Sequence, residues 1–453
     1  MMQPRYRFAL TVVVMAFLSA LESALSLGFY VHIPFCRRRC SYCDFTIVPI
    51  GDVSADAARD AKIFAPYVDA VVGEIVSSSS ALKDHWKDNP LSSSIIETVY
   101  FGGGTPSLLP PPLLTKILTT IKTRFNVSPE AEVTVECDPG TFGEAELKEL
   151  VRGGFNRVSL GLQNFDDEVL GNIGRVHRSR DIEVSVELLK REAGLTSWSI
   201  DLISGLPGMT VSTWEETLDE VLRISPPHLS CYDLQVESGT KFGQLYKEVD
   251  VEVDDSEVRD KSGRLPSLPS SKSRAEMYKM ASNRLRSEGG YEHYEVSSYA
   301  LPGHRSRHNT NYWAFKPSWL AAGIGATSCI NGRRVTRPKV LARYMEWLDK
   351  KENIKELESS AASAADVSED DLTDFVLTAL RTRRGLDLCF VEDKFGAAKT
   401  KKILKGAELA LSAGICKVED DDVGGHRFMT LTDPDGFLFS NDIISQIFFY
   451  VSE

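Results

Sequence analysis

Six apolar, β-rich runs recur through the first half of the chain, with helical patterns between them. Each run is nearly continuous in Val, Ile, Leu, Phe and Tyr, which is typical of strands that are buried on both faces. Repeated alternation of strand and helix predicts an α/β fold with a parallel sheet, either doubly wound or curled into a partial barrel. The runs lie at residues 29–33, 98–101, 133–137, 157–162, 197–204 and 228–236.

The segments between and beyond these runs divide the rest of the chain. Helix candidates include 111–125, which opens with prolines suited to a first helical turn, and 211–224. Residues 249–274 are acidic and then rich in Ser and Pro, and residues 358–371 are small and acidic, so both are predicted to be linkers or loops. The remainder, 372–453, is predicted to form helices followed by a short β-hairpin.

Composition narrows the class of protein. The chain has 453 residues and a formal net charge of −12, which allows two or three domains and argues against nucleic acid as the main partner. Three of its eight cysteines lie within residues 36–43, and the other five are scattered. A close cluster with scattered single cysteines indicates a metal site in a reducing compartment, not a disulfide framework.

The first 27 residues have the layout of a leader. Arg5 and Arg7 precede an apolar run at 8–18, and no acidic residue occurs before Glu22. This layout predicts a removed targeting segment, with a hydrophobic cap or a mis-assigned start as the alternative. The run is short for a membrane span. Because secretion conflicts with a labile cysteine cluster, we expect an organelle, mitochondrion or plastid, with the cytoplasm as the alternative.

Polar or glycine-rich features follow five of the predicted strands. In a parallel α/β barrel, function gathers where the strands end, so the convergence of these features predicts one ligand site at that edge. A glycine run alone most often marks a turn, and a lone carboxylate is as often a satisfied core residue. The features are the cysteine cluster, GGGTPS at 102–107, Glu136 with Asp138-Pro139-Gly140, Gln163-Asn164, and Asp201 followed by SGLPG.

The cysteine cluster has the spacing C-x3-C-x2-C, formed by Cys36, Cys40 and Cys43. A structural zinc site would need a fourth ligand, usually from a second C-x2-C, and the sequence has no such pair. Three thiolates on a loop suit a [4Fe–4S] cluster with one iron open to a small chelating ligand. The arginines at 37–39 are expected to lower the pKa of the neighbouring thiols and offset the cluster's charge; the alternative is a solvated basic loop.

These motifs resemble those of radical S-adenosylmethionine (SAM) proteins. The cysteine signature has Tyr42 before its third cysteine, and GGGTPS is similar to the glycine motif that holds the methionine amino group in that family. Longer stretches are similar to the branch that contains oxygen-independent coproporphyrinogen III oxidases and HemW-type heme chaperones. The resemblance extends from residue 28 to the end, apart from the two linkers, and includes 30–36, 99–107, 154–170, 174–179, 201–210, 228–242, 289–313 and 431–441.

The resemblance implies a partial (β/α)6 TIM-like radical SAM barrel with a small C-terminal helical, winged-helix-like domain. It implies that Cys36, Cys40 and Cys43 bind the cluster, whose open iron is chelated by SAM and which delivers one electron to the sulfonium. Gln163, Arg175 and Asp201 match residues that contact SAM, or a second SAM, in the oxidase. The remaining SAM-site residues implied by the resemblance are Tyr30, Tyr42, Gly103, Gly104, Thr105 and Glu136.

Two features separate oxidase from chaperone within this branch. The oxidase has a cysteine two positions after the third ligand, where this chain has Phe45, as in HemW-type proteins. HNTNYW at 308–313 matches their H-N-x-x-Y-W motif, whose histidine is implicated in heme binding. His308 is therefore a candidate axial ligand, because neutral imidazole is a common donor to heme iron. The alternative is a structural turn with its aromatic side chains in the core.

The segment GIGATSC at 323–329 departs from the family pattern G-x-G-A-G-A-H. Cys329 stands where histidine is common. It is either a soft iron ligand or, as is more usual for such a residue, a buried structural thiol.

The resulting hypothesis is a heme chaperone that binds a [4Fe–4S] cluster, SAM and heme, accepts an electron from a donor and passes heme to acceptor hemoproteins. Radical decarboxylation of coproporphyrinogen III is the first alternative, and another radical SAM reaction is the second. No stable transmembrane span is expected, and a homodimer is left open. The predicted divisions are a leader at 1–27, the core barrel at 28–248, linkers at 249–274 and 358–371, a barrel-completing segment at 275–357, and a C-terminal domain of the oxidase type at 372–453.

Overall fold

The computed structural model describes most of the chain and omits the predicted leader up to residue 25. The described residues are 26–51, 62, 64–85, 94–246, 265–315, 317–330, 332–350, 367–421 and 425–452. Within these residues, no helix is both long enough and apolar enough to cross a membrane.

All six predicted strands form and lie side by side in sequence order, each parallel to the next. A doubly wound sheet would reverse its strand order at a switch point, so the uninterrupted order selects the partial barrel. The six strands are β1 (Ser26–Ile33), β2 (Ile95–Gly103), β3 (Val127–Cys137), β4 (Arg157–Gln163), β5 (Ser197–Ser204) and β6 (His228–Asp233).

Five shorter strands extend this sheet to eleven. The hairpin β7 (Glu292–Glu295) and β8 (Ser298–Ala300) pairs with β6. At the other edge, β9 (Trp319–Ala322) runs parallel to β1 and is followed by the antiparallel strands β10 (Thr327–Ile330) and β11 (Arg333–Thr336). These additions were not predicted as strands, because runs of three or four residues carry almost no periodicity.

Helices cover the outer face of the sheet. Alternate residues of every central strand are fully buried, among them Val31, Phe101, Val135, Leu160 and Ile200, as expected of strands covered on both faces. The helices of this part are α1 (Ala65–His85), α2 (Pro111–Arg124), α3 (Glu144–Arg152), α4 (Asp167–Asn172), α5 (Ser179–Arg191), α6 (Val211–Ile224), α7 (Lys241–Leu245), α8 (Ser271–Ser287), α9 (Arg307–Tyr312) and α10 (Leu341–Leu348).

The C-terminal module has its own hydrophobic core, separate from that of the barrel. A three-stranded sheet in the order β12, β14, β13 packs on helices. The sequence predicted helices and then a hairpin; the hairpin β13–β14 forms, but a 13-residue helix follows it. The elements are α11 (Glu369–Ala379), β12 (Leu386–Asp387), α12 (Leu388–Phe395), α13 (Ala397–Gly406), α14 (Glu408–Ser412), β13 (Cys416–Asp420), β14 (Arg427–Leu431), α15 (Asp435–Leu438) and α16 (Ser440–Ser452).

Helix starts lie inside both predicted linkers. Ser270 caps α8 by accepting a hydrogen bond from the Ser273 N–H at 3.1 Å, and Ser368 caps α11 in the same way through the Asp371 N–H at 3.2 Å. Side-chain oxygens at this position satisfy N–H groups that lack a helical partner. The rest of each linker, 249–264 and 358–366, lies outside the described residues.

Candidate SAM and iron–sulfur site

The C-terminal ends of the barrel strands surround a cavity of about 440 Å³. This volume lies in the range of pockets that enclose small ligands. Most of the residues that the sequence predicted for the site line this one cavity: Cys36, Cys40, Tyr42, Cys43, Gly103, Gly104, Thr105, Glu136, Gln163, Arg175 and Asp201.

The cysteine loop is fixed by backbone contacts on both sides. The Ser41 N–H donates to the Ile173 carbonyl at 2.9 Å, and the Ser41 carbonyl accepts from the Phe242 N–H at 2.9 Å. The Arg39 guanidinium donates to the carbonyls of Cys43 and Phe45 at 3.2 and 3.0 Å. The loop is therefore anchored to its neighbours, so the positions of its three thiols follow from the fold.

The expected effect of the arginines at 37–39 on the thiols is outweighed by burial. Burial raises the pKa of Cys36 to about 12 and raises the pKa of Cys43, although Arg39 acts in the opposite direction on Cys43. A guanidinium that does contact a thiol belongs to Arg175, whose Nη1 lies 3.8 Å from the Cys40 Sγ. Partly buried thiols with raised pKa values become thiolates at neutral pH only when a cation compensates them, and cluster iron supplies such charge.

The spacing of the thiols favours a cluster over a single zinc ion. In the described part of the chain, the one group of metal-ligand side chains whose ligand atoms all lie within 4.8 Å of one another is elsewhere, in the C-terminal module. The three loop thiols do not form such a group, so at least one pair of their sulfurs lies farther apart than the roughly 3.8 Å that Zn–S bonds of about 2.3 Å impose. Each thiolate of a [4Fe–4S] cluster binds a different iron, which suits this wider arrangement.

The glycine motif at the end of β2 meets the carboxylate of Glu136 on β3. The Gly103 N–H donates to Glu136 Oε2 at 3.0 Å, and the Tyr100 hydroxyl donates to Oε1 at 2.8 Å. Gly103 has a φ of +113°, and a Cβ there would lie 2.4 Å from the His32 ring, so only glycine is accommodated. Burial raises the pKa of Glu136 to about 7, which leaves a proton acceptor of near-neutral basicity facing the cavity.

Asp138, which the sequence singled out at a strand end without giving it a role, is linked through Thr105 and Arg175 to two cysteines of the loop. Its carboxylate accepts hydrogen bonds from Thr105 Oγ1 at 3.1 Å and from Arg175 Nη2 at 2.5 Å. Thr105 Oγ1 in turn lies 3.7 Å from the Cys36 Sγ, while Arg175 contacts Cys40. The position of Asp138, one residue past β3, is the reason that the sequence singled it out, whereas its contacts with Thr105 and Arg175 are visible only in the structure.

Gln163 and Asp201 supply further polar groups to the cavity lining. Gln163 adopts a positive φ of 66°, an uncommon conformation for a residue with a side chain, and its buried Oε1 has no hydrogen-bond partner among the described residues. Burial raises the pKa of Asp201, which accepts a hydrogen bond from Ser159 at 3.0 Å. An unpartnered buried oxygen on a residue that lines the cavity fits a ligand that carries hydrogen-bond donors.

Two predicted site residues lie below the cavity, inside the barrel. The Tyr30 hydroxyl bonds to His32 Nδ1 at 3.1 Å. His308 is buried, with Nδ1 at 2.8 Å from Thr98 Oγ1 and Nε2 at 2.9 Å from the Tyr312 hydroxyl. Burial lowers the pKa of His308 to about 3, so the ring is neutral. Neither residue is part of the cavity lining.

Comparison with known proteins agrees with this geometry. The family model of the radical SAM superfamily matches residues 30–221. The heme chaperone HemW of Synechocystis is 34% identical over 434 residues, covering 94% of this chain and 97% of that protein. HemW of Escherichia coli is 31% identical over 304 residues, covering 66% and 69%.

A zebrafish relative, a mitochondrial radical SAM domain-containing protein, is 34% identical over 305 residues and covers 67% of this chain and 60% of its own length. The solved structure of E. coli coproporphyrinogen III oxidase superposes with a TM-score of 0.69 at 23% identity, covering 96% and 93%; this supports the fold alone. Radical SAM proteins use a [4Fe–4S] cluster and SAM, and the cavity residues fit both. The chain belongs to the HemW family of the radical SAM superfamily.

Proposed function

We propose that this protein is a heme chaperone that binds heme and passes it to acceptor hemoproteins. The observation that carries the proposal is the near-complete match to a HemW heme chaperone, 94% of this chain against 97% of that protein. Such coverage includes the C-terminal module as well as the barrel, so the two chains share their whole architecture and not only a widespread cofactor-binding domain.

The barrel is proposed to hold the cofactors. Cys36, Cys40 and Cys43 would bind the cluster, while the glycine motif and Glu136 would hold the amino-acid end of SAM. When bound, the cluster supplies one-electron reduction of the sulfonium. The residues of this chain would fix the thiols and offer Gln163 Oε1 as a hydrogen-bond acceptor.

The heme site is proposed at His308 and at a second cavity. This cavity has a volume of about 380 Å³, and its lining includes Tyr312, Trp319, Cys329 and Phe375. Tyr312 separates it from His308, because its hydroxyl is bonded to the Nε2 that would ligate iron. Ligation by His308 therefore requires Tyr312 to move. Cys329, a buried thiol whose pKa burial raises to about 11, faces the same cavity.

Heme titration of the anaerobically reconstituted protein tests this assignment. His308→Ala should abolish the Soret shift, whereas Tyr312→Phe, which frees Nε2 without removing the ring, should retain or strengthen it. The matched control is His228→Ala, because His228 is equally buried and its Nε2 also bonds to a tyrosine hydroxyl, that of Tyr294 at 2.8 Å. Equal heme binding by the wild type and His308→Ala would refute His308 as the ligand.

The rival activity is tested in the same preparation. Incubation with SAM, a reductant and coproporphyrinogen III should yield no protoporphyrinogen, while heme transfer to an apo-hemoprotein should proceed. Product at a catalytic rate would overturn the chaperone proposal. The cavity itself is compatible with either function, since Gln163, Arg175 and Asp201 all line it.

Partners and destination follow from the proposal. A chaperone of this kind needs an acceptor hemoprotein and an electron donor for the cluster. We propose an organelle as its location, which is supported by the basic and apolar layout of residues 1–27. Imaging of a full-length chain tagged at the C-terminus, beside a version that begins at residue 26, tests this: identical diffuse distributions would contradict it.

A further inference from the structure

Three metal-ligand side chains of different chemistry converge in the C-terminal module. They are Asp387, Cys389 and His426, and one ligand atom of each lies within 4.8 Å of one ligand atom of each of the others. Asp387 and Cys389 are partly buried, whereas the side chain of His426 is 52% exposed. The group is thus accessible from solvent and is distinct from the barrel cavity.

The strand register builds this cluster. Strands β12 and β14 are antiparallel, with Leu386 opposite Met429 and Asp387 opposite Phe428. Cys389 follows in the first turn of α12, and His426 precedes the first residue of β14. The Arg427 N–H, which donates to the Cys389 Sγ at 3.4 Å, is a contact between these two segments.

Each of the three side chains is already oriented. Asp387 Oδ1 caps α12 by accepting the Phe390 N–H at 3.0 Å, which leaves Oδ2 facing His426 Nδ1 at 2.8 Å. The Cys389 thiol is 4.0 Å from the Gly425 carbonyl. The ligand atoms of the three side chains therefore lie close enough together for one metal ion to reach all of them.

We propose that Asp387, Cys389 and His426 bind one borderline transition-metal cation of the Zn²⁺ class, with the remaining coordination position open to solvent. One sulfur, one nitrogen and one oxygen suit Zn²⁺, which binds all three ligand types. Mg²⁺ and Ca²⁺ prefer sets composed of oxygen alone. The proposal does not depend on heme binding, because the site lies in the C-terminal module and shares no residue with the barrel.

Binding replaces a proton with the metal ion. The thiol of Cys389 loses its proton on forming the metal–sulfur bond. If Nδ1 ligates, the proton that Nδ1 shares with Asp387 moves through solvent to Nε2, so the imidazole is neutral, and the hydrogen bond to Asp387 is exchanged for two metal bonds. Metal–ligand bonds of about 2.0–2.1 Å set nitrogen and oxygen about 3.3 Å apart in a tetrahedron, so Asp387 and His426 need to separate by only about 0.5 Å.

The test is a Zn²⁺ titration of the full-length protein with its cluster reconstituted, followed by competition with a chelating dye. We expect one equivalent to bind. Cys389→Ser and His426→Ala should each weaken binding by about 100-fold, and Asp387→Asn by at least about 10-fold. Cys416→Ser, which alters a buried cysteine of the same module, and His304→Ala serve as controls and should leave binding unchanged.

A second measurement separates this site from the cluster cysteines. In a variant with Cys36, Cys40 and Cys43 replaced by alanine, Co²⁺ should still give a sulfur-to-cobalt charge-transfer band, and Cys389→Ser should remove it. Zn²⁺ should also raise the melting temperature of the wild type but not of Cys389→Ser.

Three outcomes would overturn the proposal. The wild type binds no Zn²⁺ beyond what its cluster cysteines take; or Zn²⁺ affinity is the same in Cys389→Ser and His426→Ala as in the wild type; or added heme, and not Zn²⁺, is the ligand whose binding His426→Ala abolishes. The third result would show that Asp387, Cys389 and His426 form a heme site and not a Zn²⁺ site.

Discussion

His308→Ala tests whether the imidazole of His308 is buried and neutral in the folded protein. Truncation removes a ring that stacks on Tyr100 at a centroid distance of 5.0 Å and leaves the Tyr312 hydroxyl without this partner. Thr98 also loses its bond to the ring but keeps a contact with Asn311 Nδ2 at 3.5 Å. An unsatisfied hydroxyl costs about 1–3 kcal/mol, and the cavity adds to this. We expect the free energy of unfolding to fall by about 3–5 kcal/mol at neutral pH.

The pH dependence of that loss is the sharper prediction. Burial lowers the pKa of His308 from 6.5 to about 3 in the folded protein, so the unfolded chain takes up a proton there first as the pH falls. The stabilisation by neutral His308 is therefore complete above pH 6.5 and declines below it, by about 1.4 kcal/mol per pH unit. Between about pH 7.5 and about pH 5.5, the stability difference between wild type and His308→Ala should narrow by about 1.4 kcal/mol.

Chemical denaturation at the two pH values, followed by tryptophan fluorescence, measures this difference. Trp198 and Trp214 are buried in the barrel core, so their emission reports on its unfolding. Other titrating groups contribute equally to both proteins and cancel in the comparison. A stability difference between wild type and His308→Ala that stays constant between the two pH values would refute the buried, neutral state of His308. It would also remove the reason to expect that Tyr312 must move before His308 can ligate iron.

Three further substitutions test the cofactor site. Gly103→Ala places a Cβ 2.4 Å from the His32 ring at a φ of +113°, so the variant should lose SAM binding, measured by equilibrium dialysis. Retained affinity for SAM would show that the glycine loop relaxes freely. Asp138→Asn breaks the ion pair with Arg175, so the reconstituted protein should lose cluster iron faster in a chelator challenge, and unchanged iron release would contradict the linking role. Phe45→Cys, at a side chain 67% exposed, should leave iron content and heme binding at the wild-type level, whereas oxidase activity in this variant would make residue 45 the determinant of function.

The central strands and the cofactor edge could be predicted from sequence because each rests on a local pattern. Continuous apolar runs report burial on both faces, and in a parallel barrel the strand ends must meet. That is why Gly103, Glu136, Gln163 and Asp201 are found around one cavity although as many as 98 residues separate them.

Features that depend on contacts between distant parts of the chain could not be predicted from the sequence. Strands β7 to β11 are too short to show a period and exist because they pair with a preformed sheet. Asp138 could be seen at a strand end, but its bonds to Thr105 and Arg175 depend on where three separate elements meet. The sequence motif identified His308 as a candidate ligand and pointed to a family. It could not identify the two hydrogen-bond partners of the ring, which come from β2 and from its own helix α9.

The two cavities are joined by a continuous column of side chains through the barrel. From the glycine motif the contacts run from Gly103 to Glu136, then to Tyr100, whose ring stacks on His308, and finally to Tyr312 on the second cavity. If His308 ligates heme, the displacement of Tyr312 acts on the His308 ring, which packs against Tyr100. Tyr100 in turn donates a hydrogen bond to the carboxylate of Glu136, which we propose to hold the amino-acid end of SAM. Any resulting coupling is reciprocal by thermodynamic linkage: a cofactor that changes heme affinity through Tyr100 has its own affinity changed by heme by the same factor. The column of side chains thus offers a physical connection between the proposed SAM site and the proposed heme site. This connection does not require that SAM be cleaved.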